Sequence, residues 1–377
     1  MAQCVLHHYP SVWVKYKYKC RNIEVFNQYV KDLEQFKDDV EREIKNLSLL
    51  QFDSYELHWL SQIRFFKRDF IDFLHGLQLD STHINCSITD GELQITVEGP
   101  WISTIWFEVP ILAIISELYS SLSYNYNSNK CISDIINKLI IKENYLDDKN
   151  FSFADMGTRR RFSYSCQEHV LKTFKNTPQF VGTSNLHFAK ELNIPIIGTM
   201  AHEWIQAHQQ LSPLSESQSK ALDVWAHEYR GDLGIALSDT LGFDYFLEDF
   251  DLYFAKLFDG CRHDSGDPYE WTKKLIKHFN HLGIDPKTKR AIYSDGLNFE
   301  KANYIYEEFS DQIQTSFGIG TWLTNDTEKE PLQIVMKMIE CNEYSVAKIS
   351  DDMGKGMCEN NIYLEYLKST IKNRFLI

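Results

Sequence analysis

The sequence predicts an α/β protein. A closed or nearly closed α/β barrel of seven or eight strand–helix units follows an N-terminal α+β domain. Three observations lead there. From residue 151 onward, short apolar runs end in small or polar residues and a helical stretch usually follows, the rhythm of a parallel sheet with crossover helices. Before residue 122, alternating strand patterns mix with a long helical one. At 377 residues and 43% hydrophobic content, the chain has core material for one large domain and a smaller one.

The N-terminal domain is assigned to residues 1–122. Val12-Trp-Val-Lys-Tyr-Lys-Tyr18 alternates like a strand with one wet face, and Glu24 to Leu47 carries a helical pattern. Cys86 to Val97 alternates again, with Asp90-Gly91 as the turn of a hairpin. Residues 123–150 are polar and Asn-rich around one short helix and read as a boundary. The barrel is assigned to residues 151–345, and 346–377 to a closing segment expected to pack back on the N-terminal domain. No internal repeat or low-complexity tail is present.

Within the barrel, Phe151-Ser-Phe-Ala154 reads as the first short strand and Gly157 as its turn. Phe180–Asn185 precedes a helix over 186–192. Ile194–Thr199 precedes 201–210, and Gly234–Asp239 precedes 243–250. Leu257–Asp264 leads into 268–279, where Asp267 is a ready N-cap and Pro268 suits the first helical position. Ala291–Gly296 leads into 299–309, Thr315–Gly320 is a Gly-rich strand end, and Ile334–Ile339 follows. In α/β barrels the strand C-termini and the loops after them carry the chemistry. The polar punctuation of this chain falls there, including Thr183, Ser184, Asp239, Asp264 and Asp295.

Charge narrows the function. Thirty-nine Lys and Arg stand against fifty-three Asp and Glu, a net of −14. That balance argues against general nucleic-acid binding, which needs a basic surface to neutralise phosphates. The longest apolar run, around Val109–Ile115, is shorter than a membrane span and reads as a buried helix or strand. The start, Met1-Ala-Gln-Cys-Val-Leu-His-His-Tyr9, lacks the basic and apolar regions of a signal peptide. Eight cysteines without a C-x-x-C pair read as reduced thiols of a cytoplasmic protein.

Against an acidic background, a local cationic cluster is informative. Arg159, Arg160 and Arg161 follow Gly157-Thr158, and Ser165-Cys-Gln-Glu168 has the form of a capping box, so a helix is expected to open near Ser165. Three arginines beside a helix N-terminus are unfavourable unless an anion arrives, so strand, turn, cluster and helix together form a place for phosphate or carboxylate. A solvated basic turn is the ordinary reading of an isolated Arg triplet. His202 sits at a second helix start, after Gly198-Thr199. There the helix dipole keeps an imidazole neutral and favours a phosphoryl group upon it. A zinc-protease reading fails, because H-E-x-x-H requires histidine where Gln206 stands. No Walker A loop is present. The acidic run Glu248-Asp-Phe-Asp251 reads as a solvated helix end. Gly296, Gly318 and Gly320 permit the close backbone N–H approach of a phosphate nest.

The strand ends resemble those of the nicotinate phosphoribosyltransferases, of the type II phosphoribosyltransferase fold. The resemblance is carried by Gly157-Thr-Arg-Arg-Arg161, Phe180-Val-Gly-Thr-Ser-Asn185, Gly198-Thr-Met-Ala-His-Glu-Trp204, Arg262-His-Asp-Ser-Gly-Asp-Pro268, Ser294-Asp-Gly296 and Phe317-Gly-Ile-Gly-Thr321, in one unbroken order from His7-His8-Tyr9 to Asp351. It implies an irregular α/β barrel beside an α/β sandwich domain and a homodimer with shared active sites. It also implies a step of NAD synthesis in which nicotinate and phosphoribosyl pyrophosphate, with ATP and magnesium, give nicotinate mononucleotide, diphosphate, ADP and phosphate. By the same resemblance His202 is the phosphohistidine, and Arg262 and Asp264 complete the catalytic set. Met156, Arg159, Arg160, Arg161, Thr183, Ser184, Asp239, Asp295, Gly296, Gly318 and Gly320 are substrate-binding positions. No residue is assigned to a protein-held metal, a nucleic acid or a membrane.

Two departures bear on base binding. The family's Asp-Thr-Asp-x-Tyr-Lys segment lies upstream of the position matching Met1, and its tyrosine helps hold the pyridine ring in the partner subunit. The chain as written is therefore expected to bind nicotinate less well than one carrying that segment. Met156 stands where the family has an aromatic, usually Phe; it still covers a ring face, with less geometric preference. Ser184 argues against a nicotinamide enzyme, which carries Asp there, and His202 against a quinolinate enzyme, which uses no phosphohistidine. A catalytically silent dimeric barrel is the reading from a different class.

Overall fold

The computed structural model describes residues 1–124, 128–352 and 356–374. Part of the Asn-rich boundary (125–127) and parts of the closing segment (353–355 and 375–377) lie outside the described residues. The described strands are β1 Trp13–Cys20, β2 Ile84–Thr89, β3 Glu92–Pro100, β4 Phe153–Asp155, β5 Phe180–Thr183, β6 Ile235–Leu237, β7 Gly260–His263, β8 Arg290–Tyr293, β9 Gln314–Ile319, β10 Ile334–Cys341 and β11 Tyr344–Ser345. The chain divides into two compact units. One comprises Met1–Lys15, Gly198–Gly318 and Met338–Ile377, the other Tyr16–Ile197 and Ile319–Lys337.

In the second unit the strand order is β1-β3-β2. Val14, Tyr16 and Tyr18 of β1 are buried while the residues between them are wetter, the alternation expected. β2 and β3 pair antiparallel from Ile84↔Val97 to Thr89↔Glu92. Asp90 (φ 52°) and Gly91 (φ 75°) form the two-residue hairpin turn, whose two positive φ angles suit this dipeptide. The helical stretch expected over 24–47 is two helices, Ile23–Tyr29 and Leu33–Leu47. Asp32 caps the second by accepting from the Gln35 N–H, and Phe36, Val40 and Ile44 form its buried stripe. Trp101–Ser123 is long and apolar enough by length and composition to cross a membrane, more than the sequence reading allowed. Ile111, Leu112, Ile115 and Tyr119 within it are buried, as in a core helix. β4 and β5 pair in parallel, Asp155 opposite Thr183.

In the first unit β6, β7, β8 and β9 run parallel in that order, Cys261↔Ala291 and Ala291↔Thr315 marking the register. Helices Phe243–Asp249, Pro268–His281 and Phe299–Phe309 follow β6, β7 and β8. Asp267 caps the second of these, with Pro268 at its first turn. The acidic run before β7 does local work too, since Asp251 caps the helix Leu252–Leu257 and buried Asp249 accepts from Gln218.

Six of the eight runs read as parallel strands take part in parallel pairings between named strands. Ile194–Thr199 contributes one parallel bridge, Thr183↔Ile196; Pro195 has no N–H to give a ladder. Ile334–Ile339 is a strand, but β10 pairs antiparallel with β11, Cys341 opposite Tyr344. The turn between them, Asn342 (φ 49°) and Glu343 (φ 68°), sends the chain straight back, whereas a parallel neighbour requires a crossover.

Candidate active site

The expected site residues fall into a group in each unit. In the unit holding β4 and β5, both strands end on polar residues. Asp155 is fully buried, and its carboxylate accepts from the Gly157 N–H (2.9 Å), Gln167 Nε2 (2.8 Å) and Thr183 Oγ1 (2.7 Å). Burial pushes this carboxyl up, and the Thr183, Gly157 and Gln167 donors work against it. Thr183 is thereby engaged inward, and its Oγ accepts from the Asn185 N–H. Asn185 and Gln167 both donate to Thr158 Oγ1, at 3.1 and 2.8 Å. The network ties the Gly157-Thr158 turn to the end of β5, where the Ser184 side chain is exposed.

Gly157 is required by close approach. A Cβ there would meet the Oγ1, Cγ2 and Cβ atoms of Thr324, whose hydroxyl donates to the Gly157 carbonyl at 3.1 Å. Asn325 Nδ2 donates to the Arg160 carbonyl at 2.9 Å, and Met156 N–H to that of Ile319 at 2.9 Å. The segment after Gly320 is thus fastened to the arginine turn, with half-buried Met156 beside Gly320.

The arginines differ from the expectation in their partners. Arg161 pairs with Glu117 (2.7 Å) and half-exposed Arg159 with Glu108 (2.9 Å), while Arg160 Nε donates to the Ile334 carbonyl. Glu108 and Glu117 lie on the helix Glu108–Ser123, so anions within the chain neutralise part of the cluster. The helix after it opens at Tyr164, capped by Ser163 Oγ on the Cys166 N–H, two residues before the expected cap.

In the other unit, His202 is the first residue of the helix His202–Leu211. Its Nε2 lies 2.8 Å from Asp239 Oδ1, 3.5 Å from Asp264 Oδ2 and 2.8 Å from Lys348 Nζ. Lys348 also meets Asp239 Oδ2 at 2.7 Å, and Ser265 Oγ donates to that oxygen at 2.7 Å. Ser294 Oγ donates to Asp264 Oδ1 at 2.6 Å. Asp239 follows β6, Asp264 follows β7 and Ser294 follows β8, so successive parallel strands deliver the cluster from their C-terminal ends.

Glutamines on the His202 helix bring Lys348 to it. Gln206 donates to the Met338 carbonyl, Gln210 to that of Ser345, and Gln209 bonds Ala347 at both its N–H and its carbonyl. Burial acts to raise the Asp239 carboxyl, but His202 and Lys348 outweigh it and hold the group well below the usual carboxylate range. Burial likewise opposes ionisation of Asp264, and Arg262 with His202 holds it down. Arg262 lies on β7, and its buried Nε has no hydrogen-bond partner among the described residues. Gly296 takes φ 57° after half-buried Asp295, and Gly318 is buried on β9.

His202, Asp239 and Asp264 bring one donor atom each within 4.8 Å of one another, the count of a metal site. The set does not fit a resident magnesium. Magnesium prefers an octahedron of oxygens, and here one donor is an imidazole, while the Lys348 ammonium contacts that imidazole and Asp239.

The model of the nicotinate phosphoribosyltransferase (NAPRTase) family matches residues 151–374, and that of its N-terminal domain residues 1–116. The chain belongs to the nicotinate phosphoribosyltransferase family. It is an enzyme of that family, similar to a nicotinate phosphoribosyltransferase of Ralstonia nicotianae at 46% identity, over 98% of this chain and 95% of the relative. A nicotinate phosphoribosyltransferase of Xanthomonas campestris pv. campestris is 47% identical over 98% of this chain and 92% of its own. The crystal structure of the Vibrio cholerae nicotinate phosphoribosyltransferase superposes with a TM-score of 0.93 at 38% identity, covering 99% of this chain and 91% of that one.

Within this phosphoribosyltransferase family frame, sequence reading missed Asp155 and Lys348. Asp155 carried a signal, a charged residue ending an apolar run. Lys348 carried none, being an ordinary lysine in Val346-Ala-Lys-Ile-Ser350.

Proposed function

We propose that this chain is an ATP-coupled nicotinate phosphoribosyltransferase that forms nicotinate mononucleotide for NAD synthesis. The observation that carries the reading is the buried imidazole of His202 at a helix start, flanked by Asp239, Asp264 and Lys348 beyond the ends of β6 and β7.

In the first step an imidazole nitrogen bonds the γ-phosphorus of ATP. The phosphorus–oxygen bond to the β-phosphate breaks, and ADP leaves with that electron pair. In the second, the pyridine nitrogen of nicotinate bonds C1′ of phosphoribosyl pyrophosphate as the C1′–oxygen bond breaks and diphosphate departs. Water then takes the phosphoryl group from His202, releasing phosphate and restoring the imidazole. Positive charge gathers on the ribose and negative charge on diphosphate, so catalysis is mostly placement and electrostatics.

Arg262, whose buried Nε has no hydrogen-bond partner among the described residues, is suited to diphosphate, and Asp264 to ribose hydroxyls. Half-exposed Arg159, with Arg160 and Arg161, is assigned to a phosphate or to the nicotinate carboxylate, and Met156 to the pyridine ring. Thr183, Asp239, Asp295, Gly296, Gly318 and Gly320 complete the substrate contacts. Magnesium enters on the phosphates of ATP and phosphoribosyl pyrophosphate. A cytoplasmic homodimer with shared sites, and a domain division near 122, 150 and 345, belong to the same reading.

The direct test is diphosphate release by the purified chain with phosphoribosyl pyrophosphate, ATP and magnesium. Release is expected with nicotinate and much less with nicotinamide or quinolinate; release driven equally by all three, or by none, defeats the proposal. Ser184 gives a sharper check. Ser184→Asp sets a carboxylate against the substrate's own and is expected to shift the nicotinate-to-nicotinamide ratio of kcat/KM by about tenfold toward nicotinamide. An unchanged ratio would mean that Ser184 does not face the base.

A further inference from the structure

We infer that Lys348 is a positioning residue for the phosphoryl-accepting histidine: its ammonium, seated against His202 and Asp239 together, is what leaves a lone pair on the imidazole. The inference rests on the function proposed for His202 and adds to it a residue outside the resemblance.

The charges in the buried space around the ring set its protonation. Around the ring stand Asp239 beyond β6, Asp264 beyond β7 and Arg262 on β7 itself. Lys348 comes from the segment after β11. Asp351 lies close enough to influence Asp239, and Glu203 is the next residue of the His202 helix. His263, on β7, is kept toward its neutral form chiefly by burial. Lys348 matches Asp239 at 2.7 Å, and the field of Arg262 matches Asp264. With Asp239 and Asp264 each facing a cation other than the ring, the pull toward a second proton on His202 is weakened.

Without Lys348, Asp239 would have the ring 2.8 Å away as its nearest cation. A buried carboxylate at that distance favours the imidazolium, which has no lone pair and does not attack phosphorus. The ammonium also lies 2.8 Å from Nε2, where a positive ring would be repelled. The helix N-terminus acts in the same sense. Side-chain exposures of 5% for Lys348, 8% for His202 and 1% for Asp239 leave little water to screen these charges.

The test is the pH dependence of phosphoenzyme formation from ATP, measured in a single turnover. In Lys348→Met the acid limb is expected to move up by about one pH unit or more. For a limb moved up one unit from about 6.5, the ordinary value of an imidazole, the rate at pH 7 then falls about threefold and recovers toward wild type at high pH. Lys348→Arg, which keeps the cation, is expected to leave the limb near its wild-type position. A loss of equal size at every pH in Lys348→Met marks a merely structural role and overturns the inference. A histidine-selective ¹⁵N spectrum of the wild-type chain needs no variant, in case Lys348→Met does not fold. A neutral His202 at pH 7 supports the inference, and an imidazolium there overturns it. Failure of the wild-type chain to form any phosphoenzyme defeats the function proposed for His202, while the spectrum still reads the protonation of the ring beside Lys348.

Discussion

Replacing His202 with alanine is expected to abolish nicotinate-stimulated ATP hydrolysis, by about a thousandfold or more, the loss seen when a covalent nucleophile is removed. A slow phosphoribosyl transfer that ignores ATP should survive, because Arg262, Asp264 and the arginine turn are untouched. The variant should fold, since Asp239 keeps Lys348 at 2.7 Å and Ser265 at 2.7 Å after the ring has gone. Two measurements check this: phosphate released from ATP with and without nicotinate, and phosphoenzyme trapped at alkaline pH. ATP coupling that persists in His202→Ala would remove this residue from the mechanism.

Gly157→Ala is expected to destabilise the fold by about 3 kcal/mol, the upper part of the range for overpacking a filled site. The added methyl would collide with three atoms of Thr324, and neither side yields easily. Thr324 is fully buried, with its hydroxyl on the Gly157 carbonyl, and the Asp155 carboxylate holds the Gly157 N–H. Urea denaturation measures the loss. Adding Thr324→Ala should recover part of it, a non-additivity that identifies the collision as the cause. A Gly157→Ala chain as stable as wild type would show that the turn relaxes freely. Since Arg159 and Arg160 leave this turn, KM for nicotinate is expected to rise in the same variant.

How far the sequence announced this structure depends on the kind of residue. Asp90-Gly91 declared its hairpin because few other dipeptides accept two positive φ angles, and Asp267-Pro268 declared a helix start on equally local grounds. Local signals fail where the decisive partner is remote. Ser163 and Ser165 offer the same hydroxyl at the same turn, and the observed N–H bond goes to Ser163. The arginine triplet looked like an unmet charge because Glu108 and Glu117 stand far off in sequence on a helix read only for its apolar face. His202 was legible through its place after Gly198-Thr199, while Lys348, 146 residues away, needed the fold to bring it in. Ile334–Ile339 has a strand's composition in either kind of sheet, and only the turn that follows it sets the direction.

The glutamines that staple β10, β11 and Ala347 to the His202 helix also have a consequence for synthesis on the ribosome. The chain emerges N-terminus first, so His202, Asp239 and Asp264 are exposed long before Lys348 is made. Until then the imidazole faces two carboxylates with one fewer cation among them. A nascent enzyme lacks the lysine that completes the cluster. It would begin to spend ATP only when the last strands dock, when the groups that bind the other two substrates have already been translated.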